Sequence, residues 1–286
     1  MEELEIRQLL ATVAESGVND APALATVLSL TQDPAGSGFL TGAGLGAIDP
    51  GGDVDYWRFD ANAGDRVSIA GDDATSGYGS IYIELRGAND AILAQAGGYN
   101  NSHPLISDFA IATTGAYYVK ARANGGGSYV NPAYSVRVDV ARGVDMEAEN
   151  NGSAAAATPI ILKPGAAGHA VGAIAGNVTT SADVDYFNLG ALRAGDAVDL
   201  SAVLPGVSTL DPRIELARGS NGGVVATAVG AGHATWTIDA DDVYYAKVSA
   251  NTAATAGPSA LYLLKVDVAD ADAPSVATTT LPTAVA

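Results

Sequence analysis

Apolar side chains fall on alternate positions in several short stretches of this chain. Tyr134, Val136, Val138 and Val140 alternate with Ser135, Arg137 and Asp139, and Ile81, Ile83 and Leu85 with Tyr82, Glu84 and Arg86. Trp57 and Phe59 alternate in the same way with Arg58 and Asp60. A pleated strand sends successive side chains to opposite faces, so each stretch reads as a strand with one buried and one wet face. This alternation belongs to antiparallel sheets, because parallel sheets under helices carry continuous apolar runs. Turn signals bracket the strands, as at Asp49-Pro50-Gly51-Gly52 and Gly87-Ala88-Asn89-Asp90. Their spacing predicts about seven to nine short strands in each half of the chain, the signature of a β-sandwich. Only Glu2–Ala14 and the run Ala154–Ala157 lean toward helix, and the latter stops before Pro159.

The pattern occurs twice. DVDYWRFDANAGDRVSI at 53–69 is answered by DVDYFNLGALRAGDAVDL at 183–200. Ile83-Glu84-Leu85 is answered by Ile214-Glu215-Leu216, Tyr117-Tyr118-Val119-Lys120 by Tyr244-Tyr245-Ala246-Lys247, and the strand from Tyr134 by the strand from Tyr262. Spacing drifts only where Gly, Asn and Ser cluster, as expected when insertions are confined to turns of a packed scaffold. The expected organisation is an N-terminal segment at 1–14, sandwiches at 15–142 and 143–270, and a Thr/Ala/Pro-rich tail at 271–286 that reads as linker or disorder. The fold class is all-β: two tandem antiparallel β-sandwiches.

In this order and spacing the elements resemble the bacterial pre-peptidase C-terminal domain, in tandem over nearly all of 15–270. The resemblance implies jelly-roll-like sandwiches and a non-catalytic accessory module attached to exported proteins, with a calcium site in some members. The collagen-binding modules of bacterial collagenases are relatives. Their calcium site joins a leading Glu-x-Glu-Pro-Asn-Asp segment to aspartates at the start of the strand corresponding to DVDY. Carried over residue by residue, it implies Glu15, Asn19, Asp20, Asp53 and Asp55 in the first repeat, and Glu147, Glu149, Asn151, Asp183 and Asp185 in the second. The first repeat has Gly17 and Val18 where the motif has its second Glu and Pro; the second has Asn150 for Pro and Gly152 for the final acid. Each copy therefore lacks one ligand. Oxygen donors of these kinds suit Ca²⁺, which takes six to eight of them in a flexible geometry. The alternative reading is a solvated Asp-x-Asp pair that caps turn amides without metal.

Composition narrows the function classes. The 286 residues contain 34 glycines, 12 prolines and 6% aromatics against 48% hydrophobic residues, so Ala, Val, Leu and Ile fill the space between turns. A net charge of −18 repels phosphate backbones and acidic membrane faces, which argues against nucleic acid as a partner. Without cysteine there is no disulfide, thiolate metal site or cysteine nucleophile. No apolar run approaches the roughly 18 residues of a membrane span, and MEELEIRQLL lacks the features of a signal peptide. Either the protein is cytosolic or an export signal lies upstream. LEIRQLLA resembles a stretch near the N-terminus of large exported bacterial surface proteins, favouring a secreted or cell-surface location.

Other signals point nowhere in particular. His103, His169 and His233 occupy unmatched positions in the two copies, there is no Gly-x-Ser-x-Gly, and no His-Glu-x-x-His. Gly42-Ala43-Gly44-Leu45-Gly46-Ala47 has the loose form of a dinucleotide fingerprint, but Asp49-Pro50-Gly51 follows where a helix should run. Tyr82, Tyr99, Tyr118 and Tyr129 are candidates for stacking on a polysaccharide or an extracellular protein ligand. The leading reading is a calcium-stabilised accessory, binding or spacer module of an exported protein. A self-associating subunit of a surface layer or filament is the alternative, and a secreted hydrolase the least favoured.

Overall fold

The computed structural model describes residues 12–73, 80–97, 103–125, 129–219, 223–230 and 232–272. Among the described residues each half of the chain folds eight strands of five or more residues. In the first module these are β1 (Phe39–Ile48), β2 (Val54–Ala61), β3 (Arg66–Asp73), β4 (Ile81–Arg86), β5 (Ile92–Gly97), β6 (Leu105–Ala110), β7 (Gly115–Ala123) and β8 (Asn131–Ala141). In the second they are β9 (His169–Asn177), β10 (Val184–Leu192), β11 (Ala197–Val203), β12 (Pro212–Arg218), β13 (Gly223–Val229), β14 (His233–Thr237), β15 (Asp242–Ala250) and β16 (Leu261–Ala269). Two-residue strands such as Val13–Ala14 and Asp145–Met146 extend the sheets in parallel pairing. Among the described residues helix is limited to three-residue 3₁₀ turns, one at Ala154–Ala156, and no helix is long and apolar enough to cross a membrane. The predicted N-terminal helix fails at its end, where Val13–Ala14 pairs with Gly44 and Leu45; residues 1–11 and 273–286 lie outside the described residues.

The eight strands of the first module form sheets of order β1-β8-β3-β6 and β2-β7-β4-β5, and the second repeats this as β9-β16-β11-β14 and β10-β15-β12-β13. This is the jelly-roll order, in which consecutive strands alternate between the two sheets of a sandwich except at one hairpin per module, β4–β5 and β12–β13. One core gathers Trp57, Phe59, Ile69, Ile83, Val119 and Val136, and a second gathers Phe187, Leu200, Ile214, Leu216, Val248 and Leu264, all buried. Complete burial of each such side chain contributes about 1.5–3 kcal/mol, so cores of this size offset much of the ordering cost of their strands.

A third apolar cluster joins the modules. Phe39 and Ala141 of the first pack with Met146, Ala175, Leu261 and Leu263 of the second. This contact corrects one expectation from the alternation. Arg137 and Asp139, on the face expected to be wet, are buried: Arg137 Nε donates to Asp139 Oδ2 at 2.7 Å, Thr41 Oγ1 donates to Asp139 Oδ1 at 2.7 Å, and Arg137 Nη1 donates to the Pro258 carbonyl of the second module. Buried charge requires this degree of satisfaction, because an ion pair stripped of water is costly unless its remaining donors and acceptors are bonded. Glu84, likewise expected in water, is covered by Arg86 and Arg122, with Arg86 Nε at 2.8 Å.

Candidate functional site

Each module holds an acidic cluster where its leading segment meets the DVDY strand. The same backbone bond pins the two together in both copies: Tyr56 N donates to Asn19 O at 2.9 Å and Tyr186 N to Asn151 O at 3.2 Å. Both asparagines are buried, and their amides reach a threonine, Thr26 or Thr158. The first aspartate of each pair caps its turn. Asp53 Oδ1 accepts from Val54 N and Oδ2 from Asp49 N, while Asp183 Oδ2 accepts from the amide and hydroxyl of Thr179 at 2.7 Å. The second aspartate turns inward, and Asp55 and Asp185 are buried.

The partner that sequence reasoning missed is a tyrosine at the start of the last strand. Tyr134 Oη donates to Asp55 Oδ2 and Tyr262 Oη lies against Asp185 Oδ2, both at 2.6 Å. A glycine makes room in each copy. A Cβ on Gly46 would stand 2.6 Å from both Glu15 Oε2 and Tyr134 Oη, and one on Gly176 would stand 2.6 Å from Glu147 Oε2 and 2.3 Å from the Tyr262 Cζ and Oη. The motif is thus Glu-Gly-Tyr-Asp, built from four separate strands or segments. Its two acids are repeated in the sequence with the DVDY motif, whereas the tyrosine shows only as Tyr134 answering Tyr262 within an alternating strand.

The copies differ in how many protons they need. In the first module the Trp57 indole donates to Tyr134 Oη at 2.9 Å, leaving the hydroxyl proton for Asp55. Phe187 replaces that indole and can only pack edge-on against Tyr262. Tyr262 Oη meanwhile faces two carboxylates, Glu147 Oε2 at 2.9 Å and Asp185 Oδ2 at 2.6 Å. One hydroxyl carries one hydrogen, so a second positive partner or a carboxyl proton is required. Burial pushes Glu147 and Asp185 well above the usual carboxylate range, and Glu147, Glu149, Asp183 and Asp185 reinforce this by mutual repulsion. Glu149 is raised to about 7, by burial first and by Asp183 second. Asp55 is also raised to about 7 by burial, with Tyr134 opposing and Glu15 and Asp53 adding to the rise.

The second cluster also carries a surplus of acceptors. Glu149 Oε1, Asn151 Oδ1, Asn177 Oδ1 and Asp185 Oδ1 are buried without a hydrogen-bond partner, whereas none of the first cluster's buried side-chain oxygens is left so. Each such atom costs about 1–3 kcal/mol. Oxygen acceptors near repelling carboxylates are the donor set of a hard cation. They do not form a closed shell: among the described residues no group of three or more His, Cys, Asp or Glu side chains is arranged to hold a metal ion. Asp20 is exposed, beside the buried Asn19.

The remaining candidates are occupied by structural roles. His169 Nδ1 lies 2.7 Å from Asp267, His233 Nδ1 2.8 Å from Asp199 and His103 Nδ1 3.0 Å from Asp72, all partly exposed. Gly42–Ala47 lies within β1, as its rejection as a nucleotide loop requires. Arg122 covers the Tyr82 ring at 4.0 Å and Tyr118 packs edge-on against Tyr56, so neither offers an open stacking platform. Tyr129 is 39% exposed, and Tyr99 lies outside the described residues.

Residues 53–123 match the family model of the bacterial pre-peptidase C-terminal domain. The matched stretch runs from the DVDY strand through β7 of the first module, and the second module repeats its strand order. No curated protein matches the chain. Among solved structures, the periplasmic inhibitor of g-type lysozyme from Aeromonas hydrophila is similar over 41% of this chain and 96% of its own, with 13% identity and a TM-score of 0.29. The PBSX exported protein XepA is similar over 85% of this chain and 86% of its own, at 8% identity and a TM-score of 0.26. The CUB1-EGF-CUB2 region of human MASP-1/3 is similar over 85% and 99%, at 10% identity and a TM-score of 0.24.

Proposed function

We propose that this chain is a pair of non-catalytic accessory modules of an exported protein, serving as an attachment or spacer unit, and that calcium binds at the second module. The observation that carries the calcium reading is the set of four partnerless buried oxygens on Glu149, Asn151, Asn177 and Asp185, beside carboxylates that repel one another. Glu147, Glu149, Asn151 and Asp185 would hold the ion, with Asp183 close enough in charge to contribute, and binding entails rotation of these side chains toward a common centre. The first module, whose Tyr134 is supplied by Trp57 and whose buried acceptors are satisfied, needs a cation less.

The location gives the ion a mechanical role. Asn177 N donates to Glu147 Oε1 at 2.6 Å, and the Asn177 amide reaches Pro258 O, the same carbonyl that receives Arg137 from the first module. Glu149 N also approaches Ser107 Oγ of the first module at 3.4 Å. Neutralising this cluster therefore steadies the junction as well as the second core, which suits a stiff spacer.

Extracellular sites of this type bind with Kd on the order of 10⁻⁴–10⁻³ M, so millimolar calcium, about 1–10-fold over Kd, adds about 0.4–1.4 kcal/mol. Thermal melts at neutral pH in millimolar calcium and in EDTA test the reading: a higher midpoint in calcium is expected, and coincident curves reject it. Support for the non-catalytic reading is that the three histidines pair with separate aspartates at the surface. Turnover of peptide or glycoside substrates by homogeneous protein would overturn it.

A further inference from the structure

The two modules meet through the outer faces of equivalent sheets, but at opposite ends of those faces. Register makes the equivalence explicit. In the first module Phe39 pairs with Ala141, Thr41 with Asp139, and Leu45 with Ser135. In the second, His169 pairs with Ala269, Val171 with Asp267, and Ala175 with Leu263. The Phe39 end of the first sheet is covered by the Ala175 end of the second. Like overlapping bricks, the modules leave two ends uncovered.

Those two ends carry matching features. At the open end of the second module a hollow of about 450 Å³ is lined by residues including Ile161, Val171, Ala173, Lys265 and Asp267. Lys265 and Asp267 stand where the first module has Arg137 and Asp139, the pair that grips its neighbour's loop carbonyl. Ile161 and Val171 are 60% and 42% exposed. At the open end of the first module Leu45 is 52% exposed, and Tyr129 and Val130 are exposed in the loop before β8, the counterpart of the loop that presents Pro258.

We propose that the open end of the second module docks the Leu45 end of the first module of a second copy of this chain, repeating between copies the contact made within one. Continuity with the internal interface, a cation and an acid kept at the positions of Arg137 and Asp139, and exposed apolar side chains at both ends carry this assignment, which does not depend on calcium. Such a contact is heterologous and does not close on itself, so it builds linear chains. His169 in place of Phe39 and Asp199 in place of Ser68 make it wetter than the internal junction. The net charge of −18 opposes it, so added salt strengthens it by screening.

Sedimentation velocity of the full chain over a roughly 100-fold concentration range, at low and moderate salt, tests the proposal. The wild type should grow in mass with concentration, more so with salt. Leu45→Asp removes one face and Val171→Arg the other, so each variant should remain monomeric alone. Their equimolar mixture should give a 1:1 dimer and nothing longer, because each retains one working face. Val130→Asp and Ile161→Arg serve as replacements if circular dichroism shows either variant unfolded. A wild type that stays monomeric throughout, a mixture that fails to dimerise, or association that survives both substitutions overturns it.

Discussion

Tyr262 Oη stands 2.6 Å from Asp185 Oδ2, at a buried position where the same hydroxyl also faces Glu147. The equivalent bond in the first module, Tyr134 to Asp55, has the same length but is completed by the Trp57 indole. A duplicated scaffold has thus kept the tyrosine–aspartate pair and changed its supply of positive partners, leaving the second copy dependent on a proton or a cation.

Asp185→Asn should therefore act in opposite directions with and without calcium. In EDTA at pH 7.5 it removes a buried acid whose ionisation burial and neighbouring carboxylates oppose, and the melting midpoint should rise or hold. In calcium it removes a ligand, and the calcium-dependent rise should vanish. Differential scanning calorimetry on both forms checks the pair of outcomes. Tyr262→Phe, which strips a buried carboxylate of its donor, should cost about 1–3 kcal/mol.

The pH dependence follows from the sign of the shifts. Glu149 and Asp55 are raised to about 7 in the folded state, by burial first and by neighbouring acids second, and burial likewise raises Glu147 and Asp185. A carboxyl raised on folding holds its proton more tightly in the native state, so stability falls as pH climbs from the unfolded value near 4 through the folded one. Metal-free protein should accordingly melt at higher temperature at pH 5.5 than at pH 8. Calcium should flatten or reverse this trend, since binding displaces those protons. Glu215, lowered by Lys247 and Arg213 against the opposing effect of burial, works the other way and loses its contribution only in stronger acid. Melts from pH 5 to pH 8 with and without calcium measure the slope.

Much of this was legible in the sequence and some was not, for definable reasons. Alternation located Val136, Val138, Ile83 and Trp57 in the cores because burial of one strand face leaves a period of two. It misjudged Arg137 and Asp139 because their face is covered by a neighbouring module, and a strand pattern cannot record what packs on its polar side. Asp55 and Asp185 are nominated by resemblance, while Tyr134 and Tyr262 are hidden by their own stripe: a buried tyrosine looks apolar in a pattern, whatever its hydroxyl holds. The role of Gly176 was likewise invisible, since close approach of Glu147 and Tyr262 is a tertiary fact.

The junction should be cooperative. Phe39 is 1% exposed, sealed by second-module side chains. Phe39→Ala should cost about 3–5 kcal/mol, falling mainly on module docking and not on either core. A single calorimetric transition in the wild type should separate into two in the variant. A variant that still unfolds in one step at an unchanged midpoint would show that the interface is dispensable.

The central claim is that the second module's unbalanced oxygens take a calcium ion. Isothermal titration of calcium into metal-free protein at neutral pH, run on the wild type and on Asp185→Asn, tests it most directly. One site is expected in the wild type, with Kd on the order of 10⁻⁴–10⁻³ M, and none in the variant. Absence of binding heat in the wild type across several buffers, or an unchanged site in Asp185→Asn, would contradict it.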